Sequence, residues 1–440
     1  MLELIANPAV ISVAMLCVLC LYRINVLLAL IFSAAAGGIA AGLNISDVMK
    51  IFTSSMGAAS ETALSYILLG AFAASMSHTG LAGVLALKIS KIIKSNKYAL
   101  VFLLAFIAVL SQNLIPVHIA FIPILIPPLL GLMNKLKLDR RCAACALAFG
   151  LKAPYIAIPA GFGLIFQGLI YENLVQNGLE IEKNDICRYL WILGLGMLIA
   201  LFAAVFISYR KDREYKTEDT KKILPEMNEN TGANQKIKHA ATLLAALITL
   251  IVQLITNSLP LGALTGLAVI FGLKAVSRDK MDKIINEGAG LMGYTAFVML
   301  AASGFAGVIK ASGGIEQIIS ITAPYMMSGK TAAAALMLAA GLLITMGIGT
   351  SFGTIPILAV LYVPLCIKLG FSTPSVIILL AAAAALGDAG SPASDTTLGP
   401  TAGLNADGQH NHIWDTCIPS FIHYNTAIII SALAAVFFFG

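Results

Sequence analysis

Apolar runs long enough to cross a lipid bilayer fill most of this chain, and the charges that would keep such runs in water are missing. A helix needs about 20 apolar residues to span the hydrocarbon core. Candidate spans lie at 4–22, 26–43, 62–79, 188–208, 239–257, 260–276, 292–309 and 422–439. Charged residues make up 11% of the 440 residues and hydrophobic ones 59%, against about 25% charged in soluble domains. A soluble chain of this length could not cover its surface with so few charges. The sequence therefore reads as all-α, a polytopic protein embedded in membrane lipids. The first run carries Glu3 and no basic leader, and reads as a retained span rather than a signal peptide.

The net charge of +6 has a use other than nucleic-acid binding. Basic residues choose orientation, because they collect on the cytoplasmic side. One face would carry Arg23, Lys88, Lys91, Lys94, Lys97, Lys135, Lys137, Arg140, Arg141, eight basic residues of 209–238, Lys274, Arg278, Lys280 and Lys283. The other would carry Lys50, Lys183, Arg188, Lys310, Lys330 and Lys368. The first face is placed in the cytoplasm, so both termini emerge outside a cytoplasmic (inner) cell membrane. Segment 81–97, with lysines spaced by three on an apolar background, reads as an interfacial helix. The 7 cysteines are odd in number and scattered through apolar runs, and read as ordinary buried thiols.

The chain resembles itself at an offset of 233 residues. Ile122-Pro123-Ile124-Leu125 matches Ile355-Pro356-Ile357-Leu358, Thr62-Ala63 matches Thr295-Ala296, and Gly57 and Gly80 match Gly290 and Gly313. The charge assignment puts Lys135 inside and its counterpart Lys368 outside, so the halves run in opposite directions. The expected organisation is a first repeat at 1–208, a charged cytoplasmic linker at 209–238 and an inverted second repeat at 239–440. Inverted repeats recur in secondary transporters.

Regions 98–134 and 331–367 are interrupted by Pro, Gly and small polar residues. Each reads either as a re-entrant hairpin or as two full crossings, with tips near Ser111–Pro116 and Gly347–Gly353. A mid-membrane break follows each, within 150–159 and 387–397. Broken helices expose backbone groups that bind ions, and hard cations want oxygen ligands. The richest oxygen cluster is Asp388, Ser391, Ser394, Asp395, Thr396 and Thr397, with Thr350, Ser351 and Thr354 on the second tip. The first half offers Ser111, Gln112, Asn113 and His118, and Lys152 is stranded in an apolar run. Two pseudo-symmetric polar centres are expected, one per half.

Intramembrane ionisable groups default to function. Asp388 and Asp395 are read as Na⁺ or proton ligands, against a structural role in bonding exposed backbone. Lys152 has three readings: structural pairing with a carboxylate, binding of an anionic substrate group, or replacement of a cation. His118 is either a packed histidine or a proton carrier, and Glu61 reads as interfacial. His410, His412 and Asp415 look like a metal cluster but read better as a polar loop. No phosphate loop and no nucleophile–base pair is present, so neither ATP hydrolysis nor an intramembrane enzyme is expected, and no cofactor beyond Na⁺ and H⁺ as coupling ions.

Gly349-Thr-Ser-Phe-Gly-Thr354 followed by Ile355-Pro356, and Gly387-Asp-Ala-Gly-Ser-Pro-Ala-Ser-Asp-Thr-Thr397, resemble the paired motifs of the NhaC-type sodium/proton antiporter family. The resemblance covers nearly the whole chain, most strongly 280–425. It implies an inverted-repeat fold with hairpins and broken helices, often a homodimer, that exchanges Na⁺ for H⁺. By position it carries Thr350, Ser351, Thr354, Asp388, Ser391, Ser394, Asp395 and Thr396 over as motif residues. The continuation Gly403-Leu-Asn-Ala-Asp-Gly-Gln-His410 through Phe421-Ile-His423 resembles a subgroup of predicted amino-acid permeases, histidine included among suggested substrates. The sequence expectation is a secondary transporter, with Na⁺/H⁺ antiport first. The alternative is Na⁺- or H⁺-coupled transport of an amino acid or small carboxylate. An ion channel is the third reading, disfavoured by the inverted broken helices.

Overall fold

The computed structural model describes residues 6–22, 24–81, 84, 89, 93, 96–113, 118–160, 162–216, 233–256, 258–326, 329–348 and 350–440. Every regular element among them is helical. The first half contains α1 (Pro8–Leu21), α2 (Val26–Ala40), α3 (Ile45–Ser55), α4 (Ser60–Thr79), α5 (Lys97–Asn113), α6 (His118–Lys135), α7 (Arg140–Ala157), α8 (Phe162–Gln176) and α9 (Lys183–Ala203). The second contains α10 (Ala233–Thr256), α11 (Leu259–Gly272), α12 (Met281–Ala311), α13 (Gly314–Met326), α14 (Lys330–Ile348), α15 (Ser351–Lys368), α16 (Thr373–Ala385), α17 (Asp395–Leu404) and α18 (Ile418–Phe439). A π-helical turn, His412–Cys417, leads into α18. Most of the expected interfacial helix at 81–97, the middle of the linker and the tip 114–117 lie outside the described residues.

This is a multi-pass membrane protein. Five helical runs among the described residues are long and apolar enough to cross a bilayer: Ile45–Met76, Lys183–Ser208, Gln235–Gln253, Met292–Ala311 and His412–Phe439. Two bent pairs bring the number to seven, α7 with α8 at 46° and the two parts of α15 at 45°. The spans expected at 4–22, 26–43 and 260–276 form shorter helices of 14, 15 and 14 residues. Local chemistry sets those limits, at the start of α1 and at the far ends of α2 and α11, where Gly42 and Lys274 turn left-handed at φ +81° and +54°; caps and prolines fix the starts. Asn7 caps α1 by accepting from the Ala9 and Val10 N–H groups, with Pro8 at the first position. Asn25 caps α2 through the Leu27 N–H, and Pro260 stands in the first turn of α11. Such caps and prolines fix a helix start whatever the hydropathy beyond it.

Helix boundaries keep a constant spacing. α2 and α11 begin at 26 and 259, α5 and α14 at 97 and 330, α6 and α15 at 118 and 351, α7 and α16 at 140 and 373, and α8 and α17 at 162 and 395. Each pair is 233 residues apart. Left-handed residues keep the same register, Lys137 with Gly370 and Gly80 with Gly313. Close contacts do as well. A Cβ on Gly70 would lie 2.5 Å from the Gly288 carbonyl oxygen, while at the corresponding positions the Ser303 hydroxyl donates to the Ser55 carbonyl at 2.8 Å. Small residues at these crossings let backbones approach, which is how helices associate where lipid removes the hydrophobic drive.

α7 and α16 form the buried centre. Every side chain from Ser375 to Ala385 is buried, and so is nearly all of α7 from Cys142 to Ile156. From Val376 on, α16 is apolar around its whole circumference, which suits a helix surrounded by others, while α7 carries Lys152 and Tyr155 into the same buried packing. They carry the site.

Candidate functional site

α7 starts at Arg140, where Asp139 caps it by accepting from the Arg141 N–H at 3.0 Å. Lys152 follows twelve residues later, about 18 Å along the axis. α7 continues through Pro154 to Ala157, so the first break falls within the expected 150–159 segment, at its end. α16 approaches from the other half and stops at Ala385, because Leu386 is extended and Gly387 takes φ +79°. A Cβ at Gly387 would lie 2.5 Å from the Leu342 carbonyl oxygen. Gly390, at φ +92°, sits as tightly against the Phe421 backbone. Gly387→Ala therefore combines a left-handed alanine with overpacking, and is expected to cost more than ~2 kcal/mol. Thermal unfolding of the purified protein in detergent measures this; an unchanged midpoint would contradict it.

Stopping α16 frees backbone groups that lipid could not satisfy. Asn425 of α18 takes them up: its Oδ1 accepts from the Gly387 N–H at 3.0 Å and its Nδ2 donates to the Ala389 carbonyl at 2.7 Å. The Thr397 hydroxyl donates to the Ser391 and Ser394 carbonyls at 2.5 and 2.9 Å. Ser394 caps α17, accepting from the Thr396 N–H at 3.2 Å.

At this break side chains of α7 meet the segment that follows α16. The Lys152 ammonium donates to Asp388 Oδ2 and, at 2.8 Å, to Ser351 Oγ. Ser351 donates to the same Asp388 oxygen at 2.8 Å, and the Tyr155 hydroxyl stands 3.1 Å from Ser351 Oγ and 3.5 Å from Asp388 Oδ2. Lys152, Tyr155, Ser351 and Asp388 are 1%, 2%, 1% and 5% exposed, so bulk water solvates none of them. A lone ion there would lose several kcal/mol of hydration, so each charge depends on the other. Phe166 and Phe352 close the side beyond Tyr155, with ring centroids 5.0 and 5.5 Å from the Tyr155 ring. The arrangement holds one carboxylate of the second half against one ammonium of the first. It can exchange that cation for another, or for a proton.

The structure distributes the other expected residues around this cluster. Thr354 is buried and donates to the Thr350 carbonyl of its own helix. Thr350 is exposed and lines a cavity of about 420 Å³ with Ser55, Thr62, Ser303, Lys310 and Gly353. Ser394 and Thr396 pair through their hydroxyls at 2.7 Å. Ser391 Oγ accepts from the Ala393 N–H at 3.3 Å. Asp395 is half-buried in the first turn of α17 beside Ser394. Ser111 donates to the Ala108 carbonyl within its own helix. Gln112 is buried, and its Oε1 has no hydrogen-bond partner among the described residues. The side chains of Asn113 and His118 lie outside the described residues. Lys152 joins the second-half cluster directly, so of its three readings the pairing with a carboxylate is the one drawn in this state. Sequence reasoning passed over Tyr155, although it stands 233 residues before Asp388. Asn425 left no comparable signal.

His410, His412 and Asp415 lie near one another, but among the described residues no three His, Cys, Asp or Glu side chains are placed to hold a metal ion. Arg140, assigned from sequence to the charged surface, is fully buried instead. Its guanidinium binds both Asp407 oxygens at 2.6 Å and the Leu404 carbonyl at 3.0 Å, and lies 4.2 Å from the Tyr215 ring. Arg213 of the linker binds Asp415 at 2.8 Å and approaches Asp139 at 3.6 Å. These bonds clamp the start of α7, the segment after α17 and Arg213 together.

Residues 146–436 match the Na⁺/H⁺ antiporter family, and residues 7–93 match a second model, also of a Na⁺–H⁺ antiporter family. The chain belongs to the Na⁺/H⁺ antiporter family. Membership makes it a transporter rather than an enzyme, with Na⁺ and H⁺ as the family's coupled ions. Within the same similarity range stands an uncharacterized membrane protein of Vibrio parahaemolyticus, 47% identical over 96% of this chain and 98% of its own length. One from Haemophilus influenzae is 43% identical over 97% and 98%. The putative amino acid transporter YuiF of Bacillus subtilis is 44% identical over 96% and 98%. Among solved structures, the YdaH transporter of Alcanivorax borkumensis covers 89% of this chain and 88% of its own at a TM-score of 0.43 and 13% identity, too distant to bear on the site.

Proposed function

We propose that this chain is a secondary active Na⁺/H⁺ antiporter of the cytoplasmic membrane, working by alternating access. The observation that carries the reading is the buried Lys152–Asp388 pair, which joins the first half to the second at a helix break. The ammonium occupies the place of a cation on Asp388. Na⁺ reaches that carboxylate only when Lys152 withdraws, and a lysine left without its partner in apolar surroundings sheds a proton. Charge neutrality then links one Na⁺ bound to one proton released. Ser351 and the break carbonyls supply the hard oxygens that Na⁺ needs. Asp395, Ser391, Ser394, Thr396, Thr350 and Thr354 are assigned to the remaining cation path.

In this reading 1–208 and 239–440 are inverted repeats about the linker 209–238, and the coincident helix starts support it. Inverted repeats supply two arrangements of similar energy. The charge-derived orientation puts Lys310 and the 420 Å³ cavity at the outer face. It puts a second cavity, of about 310 Å³ and lined by Asn25, Tyr294, Thr401, Asn405 and His412, toward the cytoplasm.

The test uses purified protein in liposomes that contain a pH dye. A sodium gradient alone is expected to drive proton movement. Silence until an organic solute is added would overturn antiport. Two observations favour that second reading: a 420 Å³ cavity has the size of a small-molecule site, and a relative is named a putative amino acid transporter. The second assay therefore adds amino acids, histidine included, and small carboxylates. Under the solute reading Lys152→Ala raises the solute KM.

A further inference from the structure

The 420 Å³ cavity has a chemistry of its own. Its wall joins the end of α3, the start of α4, the C-terminal end of α12 and the start of α15, through Ser55, Thr62, Lys310 and Thr350. Lys310 is exposed and belongs to no ion pair among the described residues. No acidic side chain stands among the described residues of the lining. The hydroxyls of Ser55, Thr62 and Thr350 make no hydrogen bond among the described residues. Gly307 makes room for the first of them: a Cβ there would lie 2.0 Å from Ser55 Oγ. One ammonium and three uncommitted hydroxyls therefore line one cavity, with no anion to balance them.

α15 starts at the same wall. Thr350 holds its N-cap position without a side-chain cap bond, and Gly353, in the first turn, lines the cavity. The first N–H groups of a helix have no acceptor within it, and their partial positive charge favours an anion. That field adds to the charge of Lys310. A hydroxyl carries one hydrogen and two lone pairs, so Thr350 can give its hydrogen to an anion and still offer its oxygen to a passing cation.

This polarity is not a by-product of how the helices cross. At the crossing related by the 233-residue register, Gly70 and Gly288 stand in place of Ser303 and Ser55. A Cβ on Gly288 would lie 2.2 Å from the Ala71 nitrogen, so backbones touch there. Ser77 stands at the position related to Lys310. One repeat closes its crossing with glycine, and the other carries serines and an ammonium at the same register.

Size and charge set the ligand. A bare inorganic anion would fill only a small part of 420 Å³, and Met299, Ala302 and Ala306 make part of the wall apolar. A single ammonium balances a single negative charge. We propose that this cavity binds a small organic carboxylate. Lys310 and the three hydroxyls hold the carboxylate, and its alkyl part lies against Met299, Ala302 and Ala306. The site rests on the cavity and not on antiport. Where the solute reading holds, it names the solute class and places the anchoring charge on Lys310 rather than Lys152. Thr350 adjoins Ser351, which bonds Lys152 and Asp388, so the carboxylate sits one residue along the chain from the buried pair.

The test is saturation-transfer NMR on the purified full chain in phosphatidylcholine nanodiscs, with no ion gradient and with empty nanodiscs as the blank. The probes are butyrate, its neutral relative n-butanol, and inorganic phosphate as a competitor. Butyrate is expected to bind and butanol not. Lys310→Gln should weaken butyrate binding at least about tenfold, the loss of one charge-assisted hydrogen bond. Lys310→Arg, which keeps the charge, should retain it, and Lys183→Gln, at a surface lysine outside the cavity, should leave it unchanged. Butanol binding as well as butyrate, or butyrate binding undiminished in Lys310→Gln, overturns the proposal. Displacement of butyrate by an equal concentration of phosphate also overturns it, because the site would then select phosphate or a lipid headgroup. Binding is read without transport. Silence in the sodium-gradient assay would sink antiport and leave this result standing, and absence of butyrate binding would leave antiport untouched.

Discussion

Asp388→Asn is expected to abolish sodium-driven proton movement. The carboxylate is the group on which Lys152 and Ser351 converge, and an amide oxygen offers a cation no net charge. The substitution also strands Lys152. Removing one partner of a buried ion pair costs about 3–5 kcal/mol, so a lower unfolding temperature should accompany the loss. Lys152→Met combined with Asp388→Asn separates the two effects. Removing both charges leaves nothing stranded, so stability should recover by most of that amount while exchange stays absent. Full exchange by Asp388→Asn would sink the assignment. Exchange recovered in the double variant would show that the pair had mattered only for folding.

Asp407→Ala should lower stability as much as the loss of Asp388 does. Asp407 neutralises the fully buried Arg140 through two parallel bonds at 2.6 Å, the geometry in which guanidinium and carboxylate bind best. Without it, Arg140 keeps the Leu404 carbonyl and Asn134 as partners, neither of them an anion. A loss of about 3–5 kcal/mol is expected, read as a drop in the thermal midpoint of the detergent-solubilised protein. Arg140→Met with Asp407→Leu should recover most of it, because an apolar pair of similar volume avoids the desolvation cost. Lower stability in the double variant than in Asp407→Ala would mean that the contacts to Leu404 and Tyr215 matter more than charge balance.

Much of the fold was legible before any coordinates. Apolar runs and scarce charge require a helical membrane protein, since lipid accepts only backbone that satisfies itself. The breaks were legible because Gly387, Gly390 and Pro392 cannot continue an ordinary helix. The short helices α1, α2 and α11 were read too long, because hydropathy persists past the cap at Asn7 and past the left-handed residues Gly42 and Lys274 that follow the ends of α2 and α11. Arg140 was read as a surface charge, because it belongs to a basic run and nothing local distinguishes it from Arg141. Its partner lies 267 residues away.

The sequence by itself determined the class, the helical segments, the 233-residue register and the residue types that make an ion site. Each follows from local composition or from a spacing along one chain. Tertiary structure alone decided which of those residues meet. Two polar centres were expected, one per half. Instead Lys152 of α7 reaches Asp388 and Ser351 across the junction, and Tyr155 joins them. The reason is physical: a buried ammonium and a buried carboxylate are each costly alone, and packing brings α7 against a break that lies far from it in the chain. The same holds for Ser55, Thr62, Lys310 and Thr350, which four separate elements bring to one cavity.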